Sequence, residues 1–383
     1  MNKKLFERIG IDRTVIKGFH IKSLDFKKLK KHQNVTLEET GDIEHQLEDG
    51  SSFAKLKIAD NKYFGSFFVG TQKQNSAYIL YTHMDITIQD KNYGNLCNST
   101  VVQYKERLIR IQQYLSDEYG IIVDISELRL SLLEINCTFE IEHDFYKYHR
   151  ALNLLMYNLP DTYGKISEYK KKNKTNVRFE SETFYRGNQR MQIKIYDKKR
   201  QLQDAGICSI DQNVMRIEFV LKTAAKIRET FGTNKINLFT DSMITNFYNY
   251  QFHKLFVHKY QIWRQHNSQF LHQMIIDHKK ISPKNWQRNL LTDCRNMELQ
   301  NRLPVILEIE DLFKQIKLLD KSGHYARTKN SILKKLPLED VYLLHDAQKV
   351  DEILTTVNQI YKNMNISDNS INKLPEYGES KKF

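Results

Sequence analysis

The chain has 383 residues, 40% of them hydrophobic and including 20 Phe and 21 Tyr, which is enough to fill the cores of two or three domains and too much for a disordered polymer. A formal charge of +13 favours a polyanionic partner, either nucleic acid or an acidic membrane surface. Cys97, Cys137, Cys208 and Cys294 form no C-x-x-C pair, so they indicate neither a zinc ribbon nor a disulfide scaffold, and a reducing cytoplasm is expected.

Behind Met1-Asn2-Lys3-Lys4 the charged residues Glu7, Arg8, Asp12 and Arg13 interrupt any signal-peptide core. No run approaches the roughly 18 apolar residues of a membrane span, so a soluble intracellular protein without a membrane partner is expected. Residues 1–50 are polar and weakly patterned around Lys27-Lys28-Leu29-Lys30-Lys31, and predict only mixed structure. Residues 53–58, 63–70 and 77–82 alternate or are rich in aromatic and β-branched residues, and read as a three-stranded meander. Val101, Tyr104, Leu108, Ile111 and Leu115 recur at helical spacing behind Ser99 and Thr100, both good N-caps, and predict a helix to about residue 119.

Residues 128–141 read as a long strand with Leu133, Ile135, Cys137, Phe139 and Ile141 on one face and Glu134, Asn136, Thr138 and Glu140 on the other. A helix over 144–157 stops before Pro160, and the polar stretch 164–174 reads as a loop over the sheet. Between Lys165 and Arg200 there are 12 Lys and Arg against 4 Asp and Glu, so much of the chain's charge surplus falls here. The three alternating segments that follow, up to Lys222, put Lys194 and Tyr196 on one polar strand face and Arg216 and Glu218 on another, with a hairpin join at Arg186-Gly187-Asn188. The order β-β-β-α-β-α-β-β-β predicts an antiparallel sheet with flanking helices.

After Lys222 the spacing is helical, over 224–230, 244–264, 268–278, 283–300, 308–317 and 341–363. The fold class is therefore α+β, a central antiparallel sheet followed by a helical C-terminal region. Expected boundaries are an α+β domain at 1–234, a helical region at 235–364 and a loose tail at 365–383.

No Walker loop, G-x-G-x-x-G, H-E-x-x-H or G-x-S-x-G motif occurs, so ATP hydrolysis, hydride transfer and serine hydrolysis lose support. His83 and Asp85 share a strand face as metal ligands can, and a surface pair explains them equally well. The stronger constellation is Glu134, Tyr196 and Glu218, one from each of three strands and each on the polar face. A tyrosine that cleaves a phosphodiester must be deprotonated although its ordinary pKa is about 10, and a divalent cation on two carboxylates polarises the phosphate it attacks. Lys194, Lys198 and Lys199 are expected to lower the cost of the phenolate.

In order and spacing, Leu132-Leu133-Glu134, Ile193-Lys194-Ile195-Tyr196-Asp197-Lys198-Lys199 and Arg216-Ile217-Glu218-Phe219-Val220-Leu221-Lys222 resemble segments of the rolling-circle replication initiators. These are the gene II protein family of filamentous phages and the initiators of small staphylococcal-type plasmids. Asn237-Leu238-Phe239 extends the similarity, which covers roughly residues 125–240. The resemblance implies an HUH-like nuclease fold, Tyr196 as nucleophile, Lys198 at the scissile phosphate, and Glu134 and Glu218 as ligands of Mg²⁺ or Mn²⁺. Departures are a Glu where the family has Asp at position 134, Leu132 where it has Arg, and Asp90-Lys91-Asn92 in place of Gly-His-Asn. The usual His-hydrophobe-His motif is missing among 13 histidines, so a third ligand is unidentified, and Tyr185 is a competing nucleophile.

The activity implied is nicking of one strand at a double-strand origin, with a 5′-phosphotyrosyl link, a 3′-OH for host polymerase and a later rejoining. Origin DNA with a single-stranded or hairpin nick site, host helicase and host polymerase are the implied partners, in a bacterial cytoplasm. Lys170, Lys171, Lys172, Lys174, Arg186, Arg190, Lys194, Lys199, Arg200 and Arg216 are the expected DNA contacts, and binding is expected to be salt-sensitive. Origin recognition or homodimerisation is expected of the C-terminal helices. A relaxase for plasmid or conjugative-element transfer uses the same chemistry, and a DNA-binding regulator without nuclease activity is the alternative from another class.

Overall fold

The computed structural model describes residues 7–38, 55–59, 64–74, 77–87, 96, 98–124, 128–164, 167–170, 181–206, 210–301, 303–336 and 346–368. Its strands are β1 (Arg8–Lys17), β2 (Ile21–Leu24), β3 (Val35–Glu38), β4 (Lys55–Ala59), β5 (Ser66–Gln74), β6 (Ala77–Thr87), β7 (Ile121–Val123), β8 (Arg129–Glu140), β9 (Ser167–Lys170), β10 (Ser181–Gly187), β11 (Met191–Asp197) and β12 (Val214–Leu221). Ten of them form one antiparallel sheet in the order β3-β4-β5-β6-β1-β8-β12-β11-β10-β9, while β2 and β7 pair separately.

The alternation of the central strands decides which face is covered. Ile135, Cys137 and Phe139 on β8, Ile193 and Ile195 on β11, and Ile217, Phe219 and Leu221 on β12 are all buried in one apolar core. Helices Val101–Tyr114, Asp241–Phe252 and Asp346–Asp368 contribute to that core. Each fully buried aliphatic or aromatic side chain there contributes about 1.5–3 kcal/mol relative to exposure, so a one-residue slip of any strand is strongly disfavoured. Helix Val101–Tyr114 starts where the spacing predicts, with a capping box between Thr100 and Gln103. Tyr248 ties the helix layer to the sheet by donating to the Ile217 carbonyl at 3.1 Å.

The structure departs from the sequence expectations in four places. Residues 8–17, expected only as mixed structure, form the central strand β1 between β6 and β8. The stretch expected as a loop over 164–174 contains the edge strand β9, paired with β10, and residues 171–180 lie outside the described residues. Helices expected at 244–264 and 268–278 are continuous through a π-turn at His253–Val257 up to Ile281. An unexpected helix covers Tyr325–Lys335.

The apolar core does not divide at residue 235. Phe247, Tyr248, Phe252 and Phe256, together with Val350, Ile353 and Val357 near the C-terminus, belong to the sheet's core. A second core, built on Leu271, Ile275, Leu290, Leu312, Phe313, Ile316 and Ile332, holds the intervening helices. Among the described residues no helix is long and apolar enough to cross a membrane.

Two irregularities in β1 shape the opposite, polar face. Ile9 and Ile11 face the core, but so do Thr14 and Ile16, because the β1–β8 register shifts between Ile11 and Arg13 and leaves Asp12 as the extra residue of a bulge. Gly10 is required by close approach: a Cβ there would lie 2.6 Å from the Ser99 carbonyl oxygen. The segment at Asn98 and Ser99 therefore lies against β1, bonded through Ile11 N to Ser99 O at 2.9 Å and back at 3.0 Å. Leu96, Leu202, Ile210 and Val214 form a small apolar cluster that covers one end of the polar face.

Candidate active site

Register alone brings the sequence candidates together. Lys194 pairs with Glu218 and Tyr196 with Arg216 across β11 and β12, while Glu218 pairs with Asn136 and Arg216 with Thr138 across β12 and β8. Directly opposed residues in an antiparallel pair share a face. All six are thus on the polar side, where the bulge adds Asp12.

The result is a buried knot of charge. Asp12, Glu134 and Glu218 each offer a carboxylate oxygen within 4.8 Å of the others. Arg216, fully buried, lies 3.1 Å from Asp12 Oδ2 and donates to Thr138 Oγ1 at 2.7 Å and to the Leu96 carbonyl at 2.9 Å. The Lys194 Nζ lies 3.1 Å from both Glu134 Oε1 and Glu218 Oε2. Tyr196 donates its hydroxyl to Glu218 Oε1 at 2.5 Å. At the rim Arg13 holds Asp85 through two hydrogen bonds of 3.0 and 2.6 Å and reaches Glu134 Oε1 at 3.7 Å.

These contacts order the acidities. Burial and then the Glu218 charge push Glu134 up to about 7, against the pull of Lys194. Burial likewise raises Asp12, with Arg216 opposing. Burial acts on Glu218 too, but Lys194, Arg216 and the Tyr196 hydrogen bond together hold it below the ordinary carboxylate value. Lys194 loses to burial and gains more from its two carboxylates, ending at about 12. Tyr196 is pushed well above its ordinary value, first by burial and then by the Glu218 charge.

At Tyr196 the effect of burial outweighs that of the surrounding cations. Lys194 is engaged by carboxylates, and Lys199 donates to the Asp211 carbonyl at 2.8 Å. Lys198 is fully buried, bonds Gln201 Oε1 at 2.7 Å and stands 5.8 Å from the centre of the Tyr196 ring.

Other expected contacts fall elsewhere. Arg186 is buried on the opposite side, where it donates to the carbonyls of Met156, Tyr157 and Gly164 and so caps the end of helix His149–Tyr157; that commits it to the fold and corrects its assignment to DNA. Arg216 is corrected in the same way, since it is sealed among the carboxylates. Arg190 is exposed and pairs with Glu229, and Arg200 is half-exposed beside Asp204. Lys170 ends β9, and Lys171, Lys172 and Lys174 lie outside the described residues, as does Asp90-Lys91-Asn92. Tyr185 pairs with Lys194 across β10 and β11, so the competing tyrosine shares the polar face. His83 and Asp85 do not join the cluster, Asp85 being held by Arg13.

Asp12 is the residue sequence reasoning missed. Its signal is an alternation that changes phase, inward at Ile9 and Ile11 and again at Thr14 and Ile16, with a carboxylate at the break. The oxygen-only donor set suits a hard divalent cation. Asp12 Oδ1, although buried, has no hydrogen-bond partner among the described residues, as expected of an oxygen left for a ligand.

No family model matches the chain, and no curated protein matches it. Among solved structures the chain is similar to the rolling circle replication initiator protein from Geobacillus stearothermophilus, at 14% identity over 57% of this chain and 76% of that one, with a TM-score of 0.31.

Proposed function

We propose that the chain is a rolling-circle replication initiator that nicks one DNA strand by transesterification to Tyr196. The observation that carries this reading is the 2.5 Å hydrogen bond from the Tyr196 hydroxyl to Glu218, inside a cluster of three buried carboxylates. The motif order described above supports it, and so does the charge of +13.

In this reading Glu218 accepts the phenol proton, the Tyr196 oxygen bonds to phosphorus, and the P–O3′ bond breaks; the departing 3′ oxygen takes a proton from water, which leaves a 3′-OH and a 5′-phosphotyrosyl link. Asp12, Glu134 and Glu218 would hold Mg²⁺ or Mn²⁺, which would supply positive charge for the scissile phosphate and the phenolate. Arg216 fixes Asp12 so that its second oxygen stays available. Rejoining reverses the step, with the 3′-OH attacking the phosphotyrosine. Arg190, Lys199 and Arg200, which lie outside the buried cluster, would contribute contacts to DNA.

One observation favours a second reading. Tyr196 is only 6% exposed, and burial holds its proton, as suits a DNA-binding protein without nuclease activity. Supercoiled DNA spanning the chain's own coding region and flanks, incubated with Mg²⁺ or Mn²⁺, separates the two. A nicked product covalently joined to protein supports the initiator; binding with no nicked product supports the regulator.

A further inference from the structure

Lys194 occupies the place between the carboxylates that the proposed reaction needs for its cation. Its ammonium lies 3.1 Å from one oxygen of Glu134 and 3.1 Å from one of Glu218. Two buried carboxylates so close together repel one another unless a positive charge stands between them, and Lys194 supplies it. A divalent cation coordinated at about 2.0–2.2 Å by the same oxygens would add like-charge repulsion to the competition for their lone pairs. Both cations cannot hold the pair at once.

The two resident cations differ in their freedom to leave. Arg216 is fully buried and tied to Asp12, Thr138 and Leu96. The Lys194 side chain is 21% exposed, against 7% for Glu134 and 2% for Glu218, and its four-carbon stem can carry the charge to water. Asp12 Oδ1 meanwhile lacks a partner while Lys194 sits on the other two acids.

We propose that Lys194 is a resident counter-ion that holds Glu134 and Glu218 in the metal-free protein and is displaced towards solvent when a divalent cation binds. This rests on the reading that Asp12, Glu134 and Glu218 form the cation site. Displacement then couples two events: the cation enters, and the freed ammonium becomes available to a DNA phosphate. The site does not collapse between turnovers because one cation or the other always separates the acids.

Two measurements on the full-length chain test it. In the wild type, lysine acetylation mapped by mass spectrometry should show Lys194 protected without metal and labelled several-fold faster in saturating Mn²⁺, with Lys105, which bonds the Asn237 and Phe239 carbonyls, unchanged. Mn²⁺ affinity, followed by electron paramagnetic resonance above pH 8, should be about tenfold tighter in Lys194→Met, because the competing charge is gone. Lys194→Gln is the second variant if Lys194→Met does not fold. In a protein that binds Mn²⁺, unchanged Lys194 labelling or a variant no tighter than wild type overturns displacement alone. If neither wild type nor variant takes up Mn²⁺, the cation site falls as well.

Discussion

The Tyr196 hydroxyl and Glu218 Oε1 are already 2.5 Å apart, so the proposed nucleophile and proton acceptor need no rearrangement to meet. Glu218→Gln keeps the shape of this contact but removes the base and one cation ligand. Single-turnover nicking should fall by about 10²-fold or more, read from the appearance of nicked circles. A variant that nicks at the wild-type rate would place the base elsewhere.

Asp12 is a structural partner as well as a proposed ligand. Asp12→Ala leaves the buried Arg216 guanidinium without its carboxylate and should cost about 3–5 kcal/mol in urea denaturation. Asp12→Asn can still accept from Arg216 and should cost less, while losing cation affinity comparably. Equal stability loss in both variants would show that the charge, not the hydrogen bond, holds Arg216.

The acids set a pH dependence whose sign follows from their opposite shifts. Glu134 titrates at about 7 in the fold against an ordinary 4.5, so between those values the fold holds a proton that the unfolded chain has released. Its contribution to stability is complete below the unfolded value and is lost as pH rises through about 7. Glu218, lowered in the fold, contributes above its unfolded value and loses that contribution as pH falls through its folded one. In metal-free buffer the melting temperature of Glu134→Gln, relative to wild type, should therefore climb from about pH 5 to about pH 8 and then level off. A difference constant across that window would mean that Glu134 is ionised throughout.

Basic residues should separate into two classes. Arg186→Ala removes donors from the Met156 and Tyr157 carbonyls at a helix end and from the Gly164 carbonyl, and should destabilise the fold by about 2–3 kcal/mol while leaving the salt dependence of DNA binding unchanged. Arg200→Ala should leave stability nearly intact and reduce the slope of log affinity against log salt by about 0.9. Fluorescence anisotropy at several salt concentrations, paired with thermal melts, reads both.

The sequence carried the centre of the sheet because β11, β12 and β8 from Leu133 onward alternate cleanly, and that alternation put Glu134, Tyr196 and Glu218 on one face before any packing was known. It hid β1 for the opposite reason. The bulge at Asp12 changes the phase of the pattern, so the third carboxylate sat in a stretch with no clean period. Nor did it reveal which cations are sealed: Arg186, Lys198 and Arg216 look like DNA contacts in one dimension, and only the packing shows that each is buried against carbonyls, an amide or carboxylates. The helices at residues 241–256 and 346–368 join the sheet core across a long separation in sequence, a relation that local spacing cannot express.

A nucleophilic Tyr196 becomes covalently linked to the DNA it cuts. Nicking with a labelled substrate in Mn²⁺, followed by proteolysis and mass spectrometry of the DNA-linked peptide, tests it most directly. A single phosphotyrosyl adduct at Tyr196, absent from Tyr196→Phe, is expected. An adduct at Tyr185, or nicking by Tyr196→Phe at the wild-type rate, would contradict it.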